Sequence, residues 1–321
     1  MILHQKALTV EQKMCMTSII ESLQYAGDKN ISSNIILGLD EFHGNNSAID
    51  DVRQLFQKFD IAFQIIFFPA SLKGQICTYW KLMANQAVSA GSDFFVMLGD
   101  DVKIVDIDWI PAVMRDFDRM HKELQLPADL FGFGCIALSD LQATGFPTFP
   151  ILHKIHLKLL GELFSPLFVN QDADPFLFQL YRRWGAARFS SAKVVNTRGG
   201  VQLLEDKTYT VPRYERVHID WKHELLGAAV DRVSHSLAAL LPAAPIQRWI
   251  TVDVIVPTFR VNLTILDSIC RLSTSRRADV AFILVVDNPA ADAAAVRALE
   301  RRGNVRVRVN PRNLGAPAAR N

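Results

Sequence analysis

The run Gly99-Asp100-Asp101 follows five consecutive apolar residues, Phe94-Phe95-Val96-Met97-Leu98. Ligands of open α/β sheets sit at the carboxyl ends of strands. Two adjacent carboxylates there can hold a hard divalent cation together with a diphosphate, and such a cation neutralises charge building on a departing diphosphate. The same residues also read as an aspartate-rich turn, because aspartate favours turns for backbone reasons. Asp40 closes the run Ile35-Ile36-Leu37-Gly38-Leu39, and Asp287 closes Phe282-Ile283-Leu284-Val285-Val286. A carboxylate so placed accepts hydrogen bonds from a base or ribose, or else forms a turn. In Asn170-Gln171-Asp172-Ala173-Asp174-Pro175, a carboxylate just ahead of a helix either caps that helix or serves as general base on an acceptor hydroxyl.

Other polar residues say less. His153 and His156 stand three apart, and His218 and His223 five apart, without cysteine or carboxylate company at zinc spacing. Arg182-Arg183 reads as a solvated helix face, or as a phosphate contact close to Asp174. No GxGxxG, GxxxxGK[ST], GxSxG or HExxH is present, which argues against dehydrogenase, P-loop and common hydrolase chemistry. Cys15, Cys77, Cys135 and Cys270 are scattered, with no spacing for a disulfide framework or a cysteine zinc site.

These candidates need elements to hold them. Met16, Ile19, Ile20 and Leu23 recur at helical spacing, and Ile49, Val52, Phe56 and Phe59 mark a second helix opened by Ser47. Trp80, Met83, Ala84 and Ala87 mark a third. Between them lie the apolar runs 35–39, 63–68 and 94–98. This alternation predicts an α/β fold, a mostly parallel sheet with helices on both faces. Beyond Asp101 the pattern predicts a helix at 109–120, an extended run at 131–138 and a helix at 172–184. Residues 193–222 read as surface loops and short strands. Leu240-Leu241-Pro242-Ala243-Ala244-Pro245 reads as part of a linker at 236–250. A strand-helix-strand-helix-strand unit follows over 251–321.

The 321 residues carry 35 basic and 33 acidic side chains, net charge +2. No global field would steer the chain to nucleic acid. No segment approaches the roughly 18 consecutive apolar residues of a membrane span, so the chain as given reads as soluble, with cytoplasmic placement or membrane association through other segments both open.

Three motifs in order, Val254-Ile255-Val256-Pro257-Thr258-Phe259-Arg260, Leu284-Val285-Val286-Asp287-Asn288 and Asn313-Leu314-Gly315-Ala316-Pro317-Ala318-Ala319-Arg320-Asn321, resemble the opening of a family 2-like glycosyltransferase with the GT-A fold. The resemblance implies nucleotide binding by Thr258 and Asp287. The family's Asp-x-Asp is expected beyond Asn321, so this second unit alone is expected to be inactive. Residues 1–235 resemble a more divergent module of the same kind. There Asp40 takes the place of the base-contacting aspartate, and Leu98-Gly99-Asp100-Asp101-Val102 matches the metal motif with glycine in place of its first aspartate. Asp174 matches the acceptor-activating carboxylate. No Pro-Thr first strand precedes the helix at 11–26, so the module is expected to lack its first strand.

The resemblance thus implies a Rossmann-like GT-A module plus the start of a second, a window of a longer tandem transferase. A permuted arrangement, in which the C-terminal unit lends its strand to the N-terminal sheet, is the bolder alternative. The implied reaction moves a sugar from a nucleotide-sugar donor to a glycan, lipid or protein acceptor, with inversion. Asp101 and Asp100 would hold Mn2+ or Mg2+, with Asp100 also on the nucleotide side, and Asp174 would be the base. The rival readings are an inactive nucleotide- or protein-binding module and a nucleotidyltransferase.

Overall fold

The computed structural model describes residues 2–3, 8–40, 47–59, 61–199, 201–203, 210–212, 214–241, 250–272 and 278–315. The chain begins with β1 (Ile2–Leu3), α1 (Val10–Gly27), β2 (Ile35–Asp40), α2 (Ser47–Lys58), β3 (Phe63–Phe68), α3 (Ile76–Ser89), β4 (Phe94–Val96), β5 (Val102–Ile104) and α4 (Trp109–Glu123). It continues through β6 (Cys135–Asp140), β7 (Pro150–His153), α5 (Ile155–Leu160), α6 (Ala173–Arg182), β8 (Ala187–Asn196), β9 (Val201–Leu203), β10 (Thr210–Pro212) and α7 (Glu224–Leu240). The C-terminal unit is β11 (Ile250–Thr258), α8 (Leu263–Cys270), β12 (Ala278–Val286), α9 (Ala293–Arg297) and β13 (Val305–Val309).

The fold is mixed α/β, with parallel strands in three of its sheets. β1, β2 and β3 form a parallel sheet in that order, while β4-β7-β6-β8-β5 form a mixed one. The hairpin β9–β10 stands apart, and β11-β12-β13 form a third parallel sheet. The C-terminal strands therefore pair among themselves. Permuted lending of β11 to the N-terminal sheet is not the arrangement found. The segment ahead of α1 contributes the two residues of β1, parallel to Gly38 and Leu39 of β2.

Side-chain period sets which helix covers which face. Successive strand residues point to opposite faces. Phe63 stacks on Phe56 of α2 at 4.7 Å, and Phe68 stacks on Tyr79 of α3 at 3.9 Å. Because 63 and 68 differ in parity, α2 and α3 lie on opposite faces. Ile35, Leu37 and Leu39 join the core of α1 and α2, whereas Ile36 and Ile66 pack with Tyr79 and Met83. Helix α1 is fixed at its start by a capping box. Gln12 N donates to Thr9 Oγ1 at 3.2 Å, and Thr9 N donates to Gln12 Oε1 at 3.0 Å.

Two sequence expectations change. The stretch from Lys193, expected as surface loops and short strands, instead opens inside β8, a ten-residue strand begun at Ala187 and paired on both edges, to β6 and β5. Its buried face is small, Ser190, Ala192 and Val194, so no strong apolar run announces it. Helix α7 extends to Leu240, so the linker expected from 236 begins inside a helix. Residues 242–249 lie outside the described residues. Among the described residues no helix is long and apolar enough to cross a membrane.

Candidate functional site

Register brings several strand ends to one edge of the mixed sheet. Ile151 pairs with both Val96 and Ile136, so β4 and β6 run the same way. Asp140 pairs with Val194, and Asn196 pairs with Val102. The turn after β4 and the ends of β6 and β8 therefore meet at one edge.

Asp100 and Asp101 lie in that turn, both buried. Gln12 Nε2 donates to Asp100 Oδ2, so the residue that caps α1 also ties the helix's first turn to the aspartates. A helix N-terminus favours negative charge through its unpaired N–H groups and dipole. Thr197 donates to the Asp101 carbonyl from its backbone N–H at 2.8 Å and its hydroxyl at 2.9 Å. Arg198 reaches the first turn of α1 through Glu11, Nε to Oε2 at 2.8 Å. A Cβ at Gly99 would meet Asp101 Oδ1 at 2.5 Å. Glycine where the resembled motif has aspartate thus makes room for the carboxylate of Asp101. Burial, reinforced by the charges of Glu11, Asp101 and Asp100 and opposed by a hydrogen bond from Thr197, pushes the neighbouring Cys15 thiol up to about 11.

A second carboxylate group lies at the start of α6. Asp172 has φ +70° and precedes the helix without a side-chain cap bond, so helix capping does not account for it. Its carboxylate accepts from His218 Nδ1 and from Ile219 N, each at 3.2 Å. Asn170 fixes the same loop, donating to the carbonyls of Gly74 at 3.0 Å and Glu215 at 2.8 Å and accepting from Val217 N at 2.9 Å. Asp174, in the first turn of α6, has a buried Oδ1 with no hydrogen-bond partner among the described residues. Burial, with the charge of Asp172 beside it, raises its pKa to about 7. The field of Asp174 in turn raises the thiols of Cys77 and Cys135, both chiefly shifted by burial.

In the C-terminal unit Asp287 N donates to the Thr258 carbonyl at 2.8 Å. Its carboxylate accepts from Asn310 Nδ2 at 2.9 Å, Leu314 N at 2.8 Å and Gly315 N at 2.7 Å. These bonds, led by Asn310, hold the carboxyl below its ordinary range. Asp287 therefore organises the Asn313-Leu314-Gly315 turn with both of its oxygens. The Thr258 hydroxyl meets the Arg260 carbonyl at 3.4 Å.

Of the residues singled out by sequence, Asp100 joins Asp101 and Thr258 joins Asp287. Asp174 stands with Asp172, Cys77 and Cys135. Asp40 ends β2, and its side chain lies outside what is described. Among the described residues no three His, Cys, Asp or Glu side chains gather as a metal cage. The donor set at 100–101 suits a hard cation that takes its remaining ligands from diphosphate and water. Arg182 and Arg183, expected on a solvated face, instead clamp Asp279 at 3.1 and 3.0 Å. Sequence reasoning missed two residues of this edge, Gln12 and the buried Asp140, which accepts from Gln142 N at 2.9 Å and Asn196 N at 3.3 Å. Asp140 was legible by the rule applied to Asp100, since it closes the apolar run Cys135–Leu138. No family model matches the chain, and no curated protein sequence matches it.

Proposed function

We propose that this chain is a glycosyltransferase of GT-A type, moving a sugar from a nucleoside diphosphate donor to a hydroxyl of a glycan, lipid or protein. The observation that carries the reading is the buried Asp100–Asp101 pair in the turn after β4, set against the N-terminus of α1. That is where an α/β sheet presents ligands and where a helix end favours a diphosphate. Mn2+ or Mg2+ held by Asp101 and Asp100 supplies charge neutralisation for the departing diphosphate.

Asp174 acts as the base. A carboxyl titrating near 7 takes a proton at neutral pH more readily than an ordinary carboxylate. As the acceptor oxygen bonds to the anomeric carbon, its proton passes to Asp174 and the carbon–diphosphate bond breaks on the opposite face, inverting the centre. Thr258 and Asp287, with the turn that Asp287 organises, form the nucleotide side of the second unit, and Asp40 takes the corresponding place in the first.

A second reading has its own support. Gln12 already engages Asp100, and the chain's own donors take both oxygens of Asp287. That arrangement suits an inactive module that retains nucleotide or protein binding. Incubating the chain with a panel of nucleotide sugars and Mn2+ separates the two. Diphosphate release that Asp101→Ala abolishes supports the transferase. No release from any donor, with nucleotide affinity unchanged in Asp101→Ala, sinks it.

A further inference from the structure

Arg198 follows Thr197, which holds the Asp101 carbonyl, in the turn that leaves β8. Its side chain is 9% exposed, deep for a guanidinium. Nε and Nη2 converge on Glu11 Oε2 at 2.8 and 2.7 Å, and Nη2 also reaches Thr9 Oγ1 at 3.4 Å. Thr9 is the N-cap of α1, and Glu11 and Gln12 belong to its first turn. One helical turn therefore grips Arg198 through Thr9 and Glu11, and Asp100 through Gln12. The charges of Glu11, Asp101 and Asp100 all act on the thiol of Cys15, so the three carboxylates share one corner of the fold. What this grip leaves over is Nη1. Among the described residues it has no hydrogen-bond partner, although a guanidinium carries N–H donors there in a fixed plane.

We infer that Arg198 binds a phosphoryl group of the diphosphate whose cation sits at Asp100 and Asp101, Nη1 donating to a phosphate oxygen while Glu11 holds the guanidinium in position. The inference rests on the transferase reading, from which it takes the diphosphate and the cation. Charge is the first reason. A divalent cation offsets two of the three carboxylates in this corner, and the one that remains repels a diphosphate. Arg198 offsets the third, so the corner accepts an anion. Shape is the second. A planar fork matches phosphate oxygens better than a point charge does, and one already fixed by an ion pair loses little freedom on binding. A purely structural pair explains why Arg198 meets Glu11. It does not call for an amino group left over at this depth beside the two aspartates.

The test titrates the full chain with inorganic pyrophosphate in Mg2+, which needs neither base nor sugar, and separately with Mn2+ alone, read by electron paramagnetic resonance. Arg198→Gln is expected to weaken pyrophosphate binding about 10–100-fold, the range of a charge-assisted hydrogen bond. The same variant removes a positive charge, so its affinity for Mn2+ alone is expected to stay level or rise. A turn that had merely come apart would lose both ligands together, and that result overturns the proposal. Equal pyrophosphate affinity in the two proteins also overturns it and leaves the transferase reading standing. So does a wild-type chain that binds no pyrophosphate. Conversely, pyrophosphate binding that depends on Arg198, with no diphosphate released from any nucleotide sugar, upholds the anion site and sinks the transferase. Should Arg198→Gln fail to unfold cooperatively, Arg198→Lys decides instead. It keeps the charge and loses the fork, and is expected to bind pyrophosphate about fivefold more weakly. Unchanged affinity in that variant overturns the role of Nη1.

Discussion

Arg183 Nη1 lies 3.0 Å from Asp279 Oδ2, joining the C-terminal end of α6 to the start of β12. Arg182 Nη2 holds the other oxygen at 3.1 Å, and Asp279 is buried. Nearby, Lys222 Nζ donates to the Val305 carbonyl at 3.0 Å, and Arg306 donates to the Lys222 carbonyl at 3.3 Å. The two units are thus bolted through charge placed at helix and strand ends. Asp279→Ala leaves both guanidinium groups facing an emptied site and is expected to cost about 2–3 kcal/mol. Thermal unfolding measures the loss. Limited proteolysis is expected to release the C-terminal unit faster from the variant.

Asp174 and His156 make opposing contributions to stability against pH. The pKa of Asp174 is raised to about 7 by burial and Asp172. Between about 4 and 7 the folded chain keeps a proton that the unfolded chain has lost, so stability falls as pH rises through that window. Asp174→Asn is expected to raise stability at pH 8 by on the order of 2–4 kcal/mol, with little change near pH 4. The same variant is expected to abolish any transferase turnover. Denaturant melts across pH, together with the donor assay, check both. A variant that loses activity and stability together at pH 8 would contradict the placement of Asp174 as a buried base.

His156 is held neutral. Nδ1 meets the Tyr181 hydroxyl at 2.8 Å and Nε2 meets the Leu163 carbonyl at 2.7 Å. Burial lowers its pKa to about 4 against hydrogen bonds that favour the charged form. Here the unfolded chain binds the proton first. Stability is full above about 6.5 and falls as pH drops toward 4, by about 3 kcal/mol over the window. Because Asp174 slopes the other way between 4 and 6.5, the two largely cancel, and the wild-type profile is expected to be flat there. His156→Gln removes the acid loss and leaves Asp174 exposed, so its stability is expected to decline steadily from pH 4 to 7. Melts at half-unit pH steps distinguish a flat profile from a sloped one.

The candidate turn at 99–101 and the first three crossovers were legible because their strands are unbroken apolar runs and their helices carry wide apolar stripes. β8 was not, since burying Ser190, Ala192 and Val194 on one face takes little hydrophobicity. α7 had a full stripe, Leu226, Ala229, Val230, Val233 and Leu237, but the proline and alanine that follow drew the boundary into the helix. The partners of the site were less legible still. Gln12 lies 88 residues from Asp100 and carries no chemistry of its own, and only the packing of α1 beside the turn brings it there. Likewise the pairing of Arg182 and Arg183 with Asp279 spans two units, so spacing along the chain held no sign of it.

Asp287 ties the Asn313-Leu314-Gly315 turn to the ends of β11 and β12. Asp287→Ala removes the acceptor for three donors at once. Amide exchange at Leu314 and Gly315 is expected to rise by at least tenfold, while the strand amides of β12 stay protected. Since its hydrogen bonds favour the charged form, protection of these amides is present above the ordinary carboxylate range and lost as pH falls below it.

Gly99 tests whether the pose of Asp101 matters. The glycine is not in the left-handed region, so alanine costs little in backbone conformation. Its methyl would stand 2.5 Å from Asp101 Oδ1, and the flexible carboxylate must move aside. Gly99→Ala is therefore expected to leave the Tm within a degree or two of the wild type. If Asp101 meets the cation where it now lies, the same change weakens Mn2+-dependent binding of a nucleoside diphosphate about tenfold, equivalent to roughly 1.4 kcal/mol. Titration calorimetry with and without Mn2+ reads the difference. An equal affinity in both proteins would mean that the present pose of Asp101 has no part in binding. An equal loss with and without metal would trace the effect to the turn itself.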